Sequence, residues 1–441
     1  MDPKWSRLMC ISLIFLFCTA LAGCDLQPAH QPVPDHAREK LTFCITWKIY
    51  SGRGEAIQKI VDAYNASQSN NEVRLVDEEE DLPAVESMMK QSSVDVYVLP
   101  YRFVQYLGDE GQLTDLTNDF ARQKDYFYPN LWRLGVVNQG TYGIPWLGHS
   151  ICLLYNKELL DEAAVNPRSI TSLSGLVSAC EKVEASTDAG GIGLVGANHN
   201  DVSWMVNQFV YGFGSRLVDP SGKKVMINND QARSAIDFYK NVLGPHAQKT
   251  WMNDSGVEVM DYFRKGQVAF EFQGPWGITD IWKNGNPFKV GVISLNNIGL
   301  KSEVGPMMLA LPADISPEKK AAAIDFIEYL ISKPTQEMIM DGEYSPEHDA
   351  YYPFRIPVRC DLADTLVYKE HPEFIPFIEG LENPSIDVPV PRWQKIKDDF
   401  YAPGLHEVMA GHLRIEAFLQ DIEIEGNREL AEPYKVRGRM K

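Results

Sequence analysis

The chain is poor in cysteine. It has seven cysteines in 441 residues. Cys10 and Cys18 fall in an apolar leader and Cys24 stands at its end. The other four, Cys44, Cys152, Cys180 and Cys360, show no CxxC spacing, so buried free thiols are expected in place of a disulfide frame or a metal site. Positive charge is also in deficit. With 42 basic against 60 acidic side chains the formal charge is −18; such a surface repels phosphate backbones, and without a local basic patch nucleic acid is excluded as a partner. Beyond the leader no apolar run reaches the roughly 18 residues that a membrane span needs. GxSxG, the GK[ST] phosphate loop and HExxH are absent. His406 and His412, six apart, would point to opposite faces of a helix. The string Gly191-Ile192-Gly193-Leu194-Val195-Gly196 has no strand before it, so it reads as a small-residue strand beside a loop and not as a dinucleotide loop. No cofactor and no metal are expected.

What is present describes a folded, exported protein. The length favours two or three packed units, and 44% hydrophobic, 23% charged and 11% aromatic residues are the proportions of a globular interior. Lys4 and Arg7 precede an apolar stretch at 8–20, of signal-peptide length. Leu21-Ala22-Gly23-Cys24 follows and looks like the bacterial lipobox. Residues 1–23 are therefore expected to be a lipoprotein signal peptide, with Cys24 the lipid-bearing mature N-terminus. Residues 24–40, with Pro28, Pro32 and Pro34, read as a flexible tether. A lipoprotein of the cell envelope, facing the periplasm or the exterior, is the expectation.

From Leu41 the pattern becomes regular. Leu41, Phe43, Ile45 and Trp47 alternate with polar residues as a strand; Ile57, Ile60, Val61 and Tyr64 recur with helical spacing over 55–67. A strand at 73–76, a helix at 84–90 and a strand at 94–99 follow. That alternation predicts a parallel sheet covered on both faces, with ligand-binding loops beyond the strand ends at 48–53, 77–81 and 100–103. The acidic loop 77–81 could hold a cation or a ligand hydroxyl, but is better read as a solvated turn at a helix start. Further on, Gly143-Ile144-Pro145-Trp146 is expected as a turn, 173–182, 204–213 and 230–242 as helices, and VGVISL and PMMLALP as apolar segments flanking polar 296–303. Ser316-Pro317 opens a helix with cap and N1 proline in place, and the chain from about 371 is mostly helical.

Five tryptophans sit at expected element ends: Trp47, Trp146, Trp204, Trp276 and Trp393. A sugar ring offers an apolar C–H face and a fringe of hydroxyls, so its site needs flat aromatic platforms with polar groups at their edges. Singly, each tryptophan is as well explained by core packing; several at loop positions favour a stacked ligand.

These residues also carry a resemblance. In order along 41–425 come Thr46-Trp47, Asp109-Glu110-Gly111-Gln112-Leu113-Thr114-Asp115-Leu116, Tyr142-Gly143-Ile144-Pro145-Trp146 with Leu154-Tyr155-Asn156-Lys157, Phe263-Arg264-Lys265-Gly266-Gln267-Val268-Ala269 with Gly274-Pro275-Trp276, Tyr352-Pro353-Phe354-Arg355, and Pro389-Val390-Pro391-Arg392-Trp393. The ordered set resembles the family 1 extracellular solute-binding proteins, carbohydrate-binding lipoproteins of bacterial ABC importers. The resemblance implies an α/β, two-lobed periplasmic-binding-protein fold (class II-like), hinged, with ligand in the cleft. One lobe would be 41–146 plus 305–348 and the other 147–304 plus 349–441. It further implies ligand contacts from Trp47, Tyr50 and Arg53, from Tyr101 and Arg102, and from Trp146 and His149. Asp201, Trp204, Trp276, Tyr352, Arg355 and Trp393 complete the set. His149 stands six residues before Tyr155, where the maltodextrin binders of the family carry a carboxylate, and His199-Asn200-Asp201 departs from them too, so another glycan or a polyol is expected. The implied function is capture of a carbohydrate for ABC permease subunits, by a monomer without enzymatic activity. A surface glycoside-active enzyme and the ligand-binding input of a sensor remain as alternative classes.

Overall fold

The computed structural model describes residues 38–47, 52–345, 350–353, 355–362, 369–382, 384 and 390–431, with the side chains at 52–53, 341, 343–345, 350–352 and 382 left aside. The leader, Cys24, residues 25–37 of the expected tether and Tyr50 lie outside these residues; the tether's expected end is corrected, because Glu39 and Lys40 already belong to the strand Glu39–Ile45.

Two sheets organise the chain. The first has five strands in the order Asn71–Asp77, Glu39–Ile45, Val96–Pro100, Met307–Ala310, Ile144–Leu147. Its first three strands are parallel, but Met307–Ala310 runs antiparallel to both neighbours. The three strands from which a parallel sheet was expected are parallel, and the antiparallel addition is a feature the alternation did not reveal. The apolar PMMLALP segment, far along the sequence, returns to pair with the edge of the βαβ unit, a pairing that local periodicity does not encode. The second sheet runs Val290–Ile293, Cys152–Asn156, Val268–Gln273, Gly190–Gly193. There the glycine-rich string is the small-residue strand expected, parallel to Val268–Gln273.

Alternation in the strands decides which core each residue joins. Leu41, Phe43, Ile45, Val96, Val98 and Leu309 face one apolar cluster, while Cys44, Tyr97, Leu99, Met308 and Ala310 face another on the opposite side of the first sheet. A third cluster lies against the second sheet around Leu153, Phe270 and Phe272. The helices that cover these faces are capped as their sequences dictate. Asp81 accepts from Ala84 N at the start of Leu82–Lys90, and Ser316 from Lys319 N at the start of Pro317–Leu330. Ser255 and Glu258 form a capping box on Gly256–Arg264. Cys44, Cys152 and Cys180 are buried free thiols, whereas Cys360 is exposed. The helix expected over 230–242 is α-helical over Asp230–Asp237 and π-helical over Phe238–Leu243.

Gly143-Ile144-Pro145-Trp146 is not a turn. Ile144–Leu147 is an edge strand, where proline's missing donor is tolerated, and the register slips between Met307 and Met308 beside it. Trp146 is fully buried, edge-on to Phe43 with ring centroids 5.6 Å apart, so it cannot meet a ligand, and the contact implied for it is corrected.

Three segments join the sheets. Residues 148–151 leave the first sheet for the second, 302–305 return, and the stretch at Ile356 crosses beside them. Ser150 bridges Val304, and Gly148 bridges Ile356, both antiparallel. Ser302 Oγ accepts from Ile151 N and donates to Ile151 O, both at 2.8 Å. Gly148 exchanges backbone hydrogen bonds with Ile356 at 3.0 and 3.1 Å. The connection is a narrow hydrogen-bonded ribbon.

Trp146→Ala is expected to cost about 3–5 kcal/mol of folding stability through a cavity beside Phe43 and to leave ligand affinity unchanged wherever the variant is folded. Urea denaturation beside calorimetric titration checks both, and a near-wild-type unfolding curve would contradict the core assignment.

Candidate functional site

A cavity of about 350 Å³ opens where the ribbon meets both sheets. From the carboxyl ends of first-sheet strands come Glu80, Tyr101 and Arg102. The ribbon supplies His149, Glu303 and Gly305, the second sheet and its helices supply Asp201, Trp204, Gln273 and Trp276, and Arg355 completes the wall. The loops beyond the parallel strands thus point into it, as the strand-end rule requires.

Tyr101 opens a helix directly after the strand Val96–Pro100, which aims Arg102 inward. The guanidinium donates from Nη1 to Glu303 Oε1 (3.2 Å) and from Nε to Gln394 Oε1 (3.3 Å). It also lies 5.2 Å from the centroid of the Tyr101 ring. Burial pushes the Glu303 carboxyl upward, opposed by Arg102 and Lys397, and its Oε2 is sealed from solvent with no hydrogen-bond partner. Glu80 crowds the same charges yet stays exposed to cavity solvent.

Asp201 lies in the first turn of the helix Asn200–Gly212, where the N-terminus favours a carboxylate. It accepts from Trp204 Nε1 (3.1 Å) and from Gly256 N (2.9 Å), and His199 Nδ1 lies 3.0 Å away. Burial works against its charge, but these donors prevail and hold it below the usual carboxylate range. Behind Asn200, Lys397 is buried in a π-helical turn, hydrogen-bonded to Asn200 Oδ1 and 3.1 Å from Asp398 Oδ1. Burial and the neighbouring Arg102 lower its pKa to about 8.

Trp276 starts the helix Pro275–Lys283. A Cβ on Gly274 would come within 2.2 Å of its ring, so the close approach requires glycine. The Arg355 guanidinium covers one face of the indole at 4.7 Å, and His149 meets it edge-on at 5.3 Å. That face is already occupied, which the expectation of a bare platform did not foresee. His149 Nδ1 is buried without a partner. Burial, then Arg355 and Arg102, lower the imidazole well below its ordinary range, so it is neutral. Gly305 makes room for it: a Cβ there would fall 2.8 Å from His149 Cε1.

Seven of the thirteen contacts implied by the resemblance therefore line one cavity: Tyr101, Arg102, His149, Asp201, Trp204, Trp276 and Arg355. Trp47 does not, being half-buried against the first core. Nor does Trp393, which packs 5.7 Å from Tyr401 at the edge of the core against the second sheet; neither is among the residues that line this cavity. The Arg53 side chain, Tyr50 and the Tyr352 side chain lie outside what is described. Sequence reasoning missed Glu80, Glu303 and Gln273. The first stands in the acidic loop read as a solvated turn. Only its place after the second strand pointed to it.

The sequence pattern of the bacterial extracellular solute-binding proteins matches residues 59–373. A probable ABC transporter-binding protein of Deinococcus radiodurans is 25% identical over 314 residues, 67% of this chain and 73% of its own. A maltooligosaccharide ABC transporter solute-binding lipoprotein of Streptococcus pneumoniae is 25% identical over 194 residues, 41% of this chain and 42% of that one, so less than half of its length is spanned. Among solved structures, a Thermotoga lettingae ABC transporter solute-binding protein bound with α-D-tagatose superposes with a TM-score of 0.76 at 18% identity, covering 89% of this chain and 100% of that one. The fold is the two-lobed α/β fold of that class. The chain belongs to the bacterial extracellular solute-binding protein family, whose members are transport binding proteins.

In the fold Lys397 releases its proton near pH 8, whereas unfolded it keeps it to 10.5. Between these values the unfolded chain binds more protons, so stability relative to Lys397→Met rises from pH 8 to 10.5 and is lowest, and flat, below pH 8. Denaturation of both proteins at pH 7 and pH 10 measures it; a difference that does not change with pH would contradict the buried lysine.

Proposed function

We propose that this protein captures a small carbohydrate or polyol in the cleft between its lobes and delivers it to the transmembrane subunits of an ABC importer. The observation that carries this reading is the composition of the cavity wall. Three aromatic rings, Tyr101, Trp204 and Trp276, alternate with polar groups from both sheets and from the ribbon. That is the arrangement a ring with an apolar face and a hydroxyl fringe requires. The names of the relatives, a maltooligosaccharide-binding lipoprotein and a tagatose-bound protein, agree with it.

The lobes on this reading are 41–146 plus 305–348 and 147–304 plus 349–441, hinged at the ribbon, and ligand favours the closed form by its extra contacts there. The protein acts as a monomer and not as an enzyme. Asp201, which its donors hold below the usual carboxylate range, is not poised as the acid of a glycosidase pair. Residues 1–23 direct export, Cys24 carries the lipid, and the residues from there to 37 tether the fold at the membrane.

Thermal unfolding with D-tagatose, D-mannitol and maltose is the test. A ligand at 100 times its Kd stabilises by about 2.7 kcal/mol, and no shift with any sugar or polyol at millimolar concentration would remove the carbohydrate reading. Anchoring is tested separately: Cys24→Ala is expected to abolish incorporation of a clickable fatty acid, and equal labelling of both proteins would refute the lipid.

A further inference from the structure

The ribbon holds two sealed polar atoms that have no hydrogen-bond partner among the described residues, His149 Nδ1 and Glu303 Oε2. Both side chains line the cavity. Their relation follows from register. Ser150 and Val304 bridge antiparallel, and Gly305 N donates to His149 O (3.2 Å). His149 is therefore opposite Gly305, and Ile151 opposite Glu303. In such a pair, residues directly across and residues two apart share a face, so His149 and Glu303 are diagonal neighbours on one face, with backbones roughly 7–8 Å apart. Opposite His149 there is only a glycine, and the imidazole lies over it, a Cβ there falling 2.8 Å from His149 Cε1, so the glycine gives the ring its place in the cavity wall.

Charges of both signs line this part of the cavity. Arg102 is held by Glu303 and Gln394, Asp201 accepts from Trp204 Nε1 and Gly256 N, and Arg355 is stacked on Trp276. An anion would have to compete with Glu303 for Arg102 while facing Glu80 and Asp201. A hydroxyl needs no such exchange, since it both donates and accepts: it can donate to Glu303 Oε2 and meet His149 Nδ1 in either tautomer. Leaving a buried polar atom unpaired is costly, and a ligand that pairs it recovers that cost.

Resting on the carbohydrate reading above, we infer that His149 and Glu303 are the specificity residues of the cleft, taking neighbouring hydroxyls of an uncharged sugar or polyol and discriminating against sugar phosphates and sugar acids. Because both stand on the ribbon that joins the lobes, the ligand grips the hinge itself as well as the two walls.

Calorimetric titration at pH 7.5 with D-tagatose, D-mannitol and maltose, and with glucose 6-phosphate and glucuronate as anionic probes, tests this. The wild type should bind at least one neutral probe, and bind the anions at least tenfold more weakly, about 1.4 kcal/mol. His149→Phe should lose at least tenfold for that neutral probe without a lower melting temperature, because an apolar ring replaces an unpaired polar atom. His149→Asn, which returns a polar atom at the same distance from the backbone, should recover most of the loss. Glu303→Gln leaves Arg102 uncompensated and should raise the ratio of anionic to neutral affinity. Equal affinity in wild type and His149→Phe, tighter anion binding by the wild type, or an unchanged ratio in Glu303→Gln would each overturn the assignment while leaving the carbohydrate reading standing. Failure of every neutral probe on the wild type would instead bring down both. If His149→Phe does not fold, the Asn and Gln variants decide.

Discussion

The cleft depends on three short segments hydrogen-bonded side by side. Residues 148–151, 302–305 and the crossing at Ile356 are the route by which the backbone passes between the two sheets, and they also form the floor of the cavity. A floor of backbone carries its own requirement: every buried N–H and C=O must be paired. Ser302 meets it by accepting and donating across the ribbon at Ile151, while Gly148 meets it through Ile356. With the backbone satisfied internally, the side chains of His149 and Glu303 are released to face the cavity.

Above the floor, the site sets opposite charges close together in partial burial. Arg102, Arg355 and Lys397 stand among Glu80, Asp201 and Glu303, and each would be expensive alone. Their mutual compensation keeps the cavity polar without leaving it strongly charged, and it orients Arg102 and Asp201 through fixed partners. The aromatic groups are held just as firmly. Gly274 lets the Trp276 ring lie against its own backbone, and Arg355 covers a face of it. A ligand stacking there must use the remaining exposed surface of the indole or shift the arginine. A cation–π contact worth about 0.5–2 kcal/mol makes such a shift feasible on binding.

The local code of the sequence was legible wherever neighbours along the chain decide the outcome. Alternation at Leu41, Phe43 and Ile45, helical spacing at Ile57, Ile60, Val61 and Tyr64, and the Ser316-Pro317 cap all correspond to elements observed. The strand-end rule placed Tyr101 and Arg102 in the cleft because parallel strands deliver their following loops to one edge. Tryptophans were less readable. Trp146 and Trp276 each follow a glycine-and-proline string, yet one is a fully buried edge-strand residue and the other lines the cavity. Nothing within a few residues of either tells them apart, because the difference lies in what packs on them: Phe43 from the first strand in one case, Arg355 from far along the chain in the other.

What the sequence determined by itself was the set of parts, namely alternating α and β elements, capped helices and the ordered motifs of a binding-protein family, since each is written in spacing and composition over a few tens of residues. The tertiary structure alone decided the antiparallel insertion of Met307–Ala310, the burial of Trp146 and the pairing of Arg102 with Glu303, which is 201 positions away. It also decided the facing of His149 and Glu303 into one cavity. Those outcomes turn on register and packing between distant segments, where the free energy of burying one side chain against another, and not the preference of any residue for helix or strand, selects the partner.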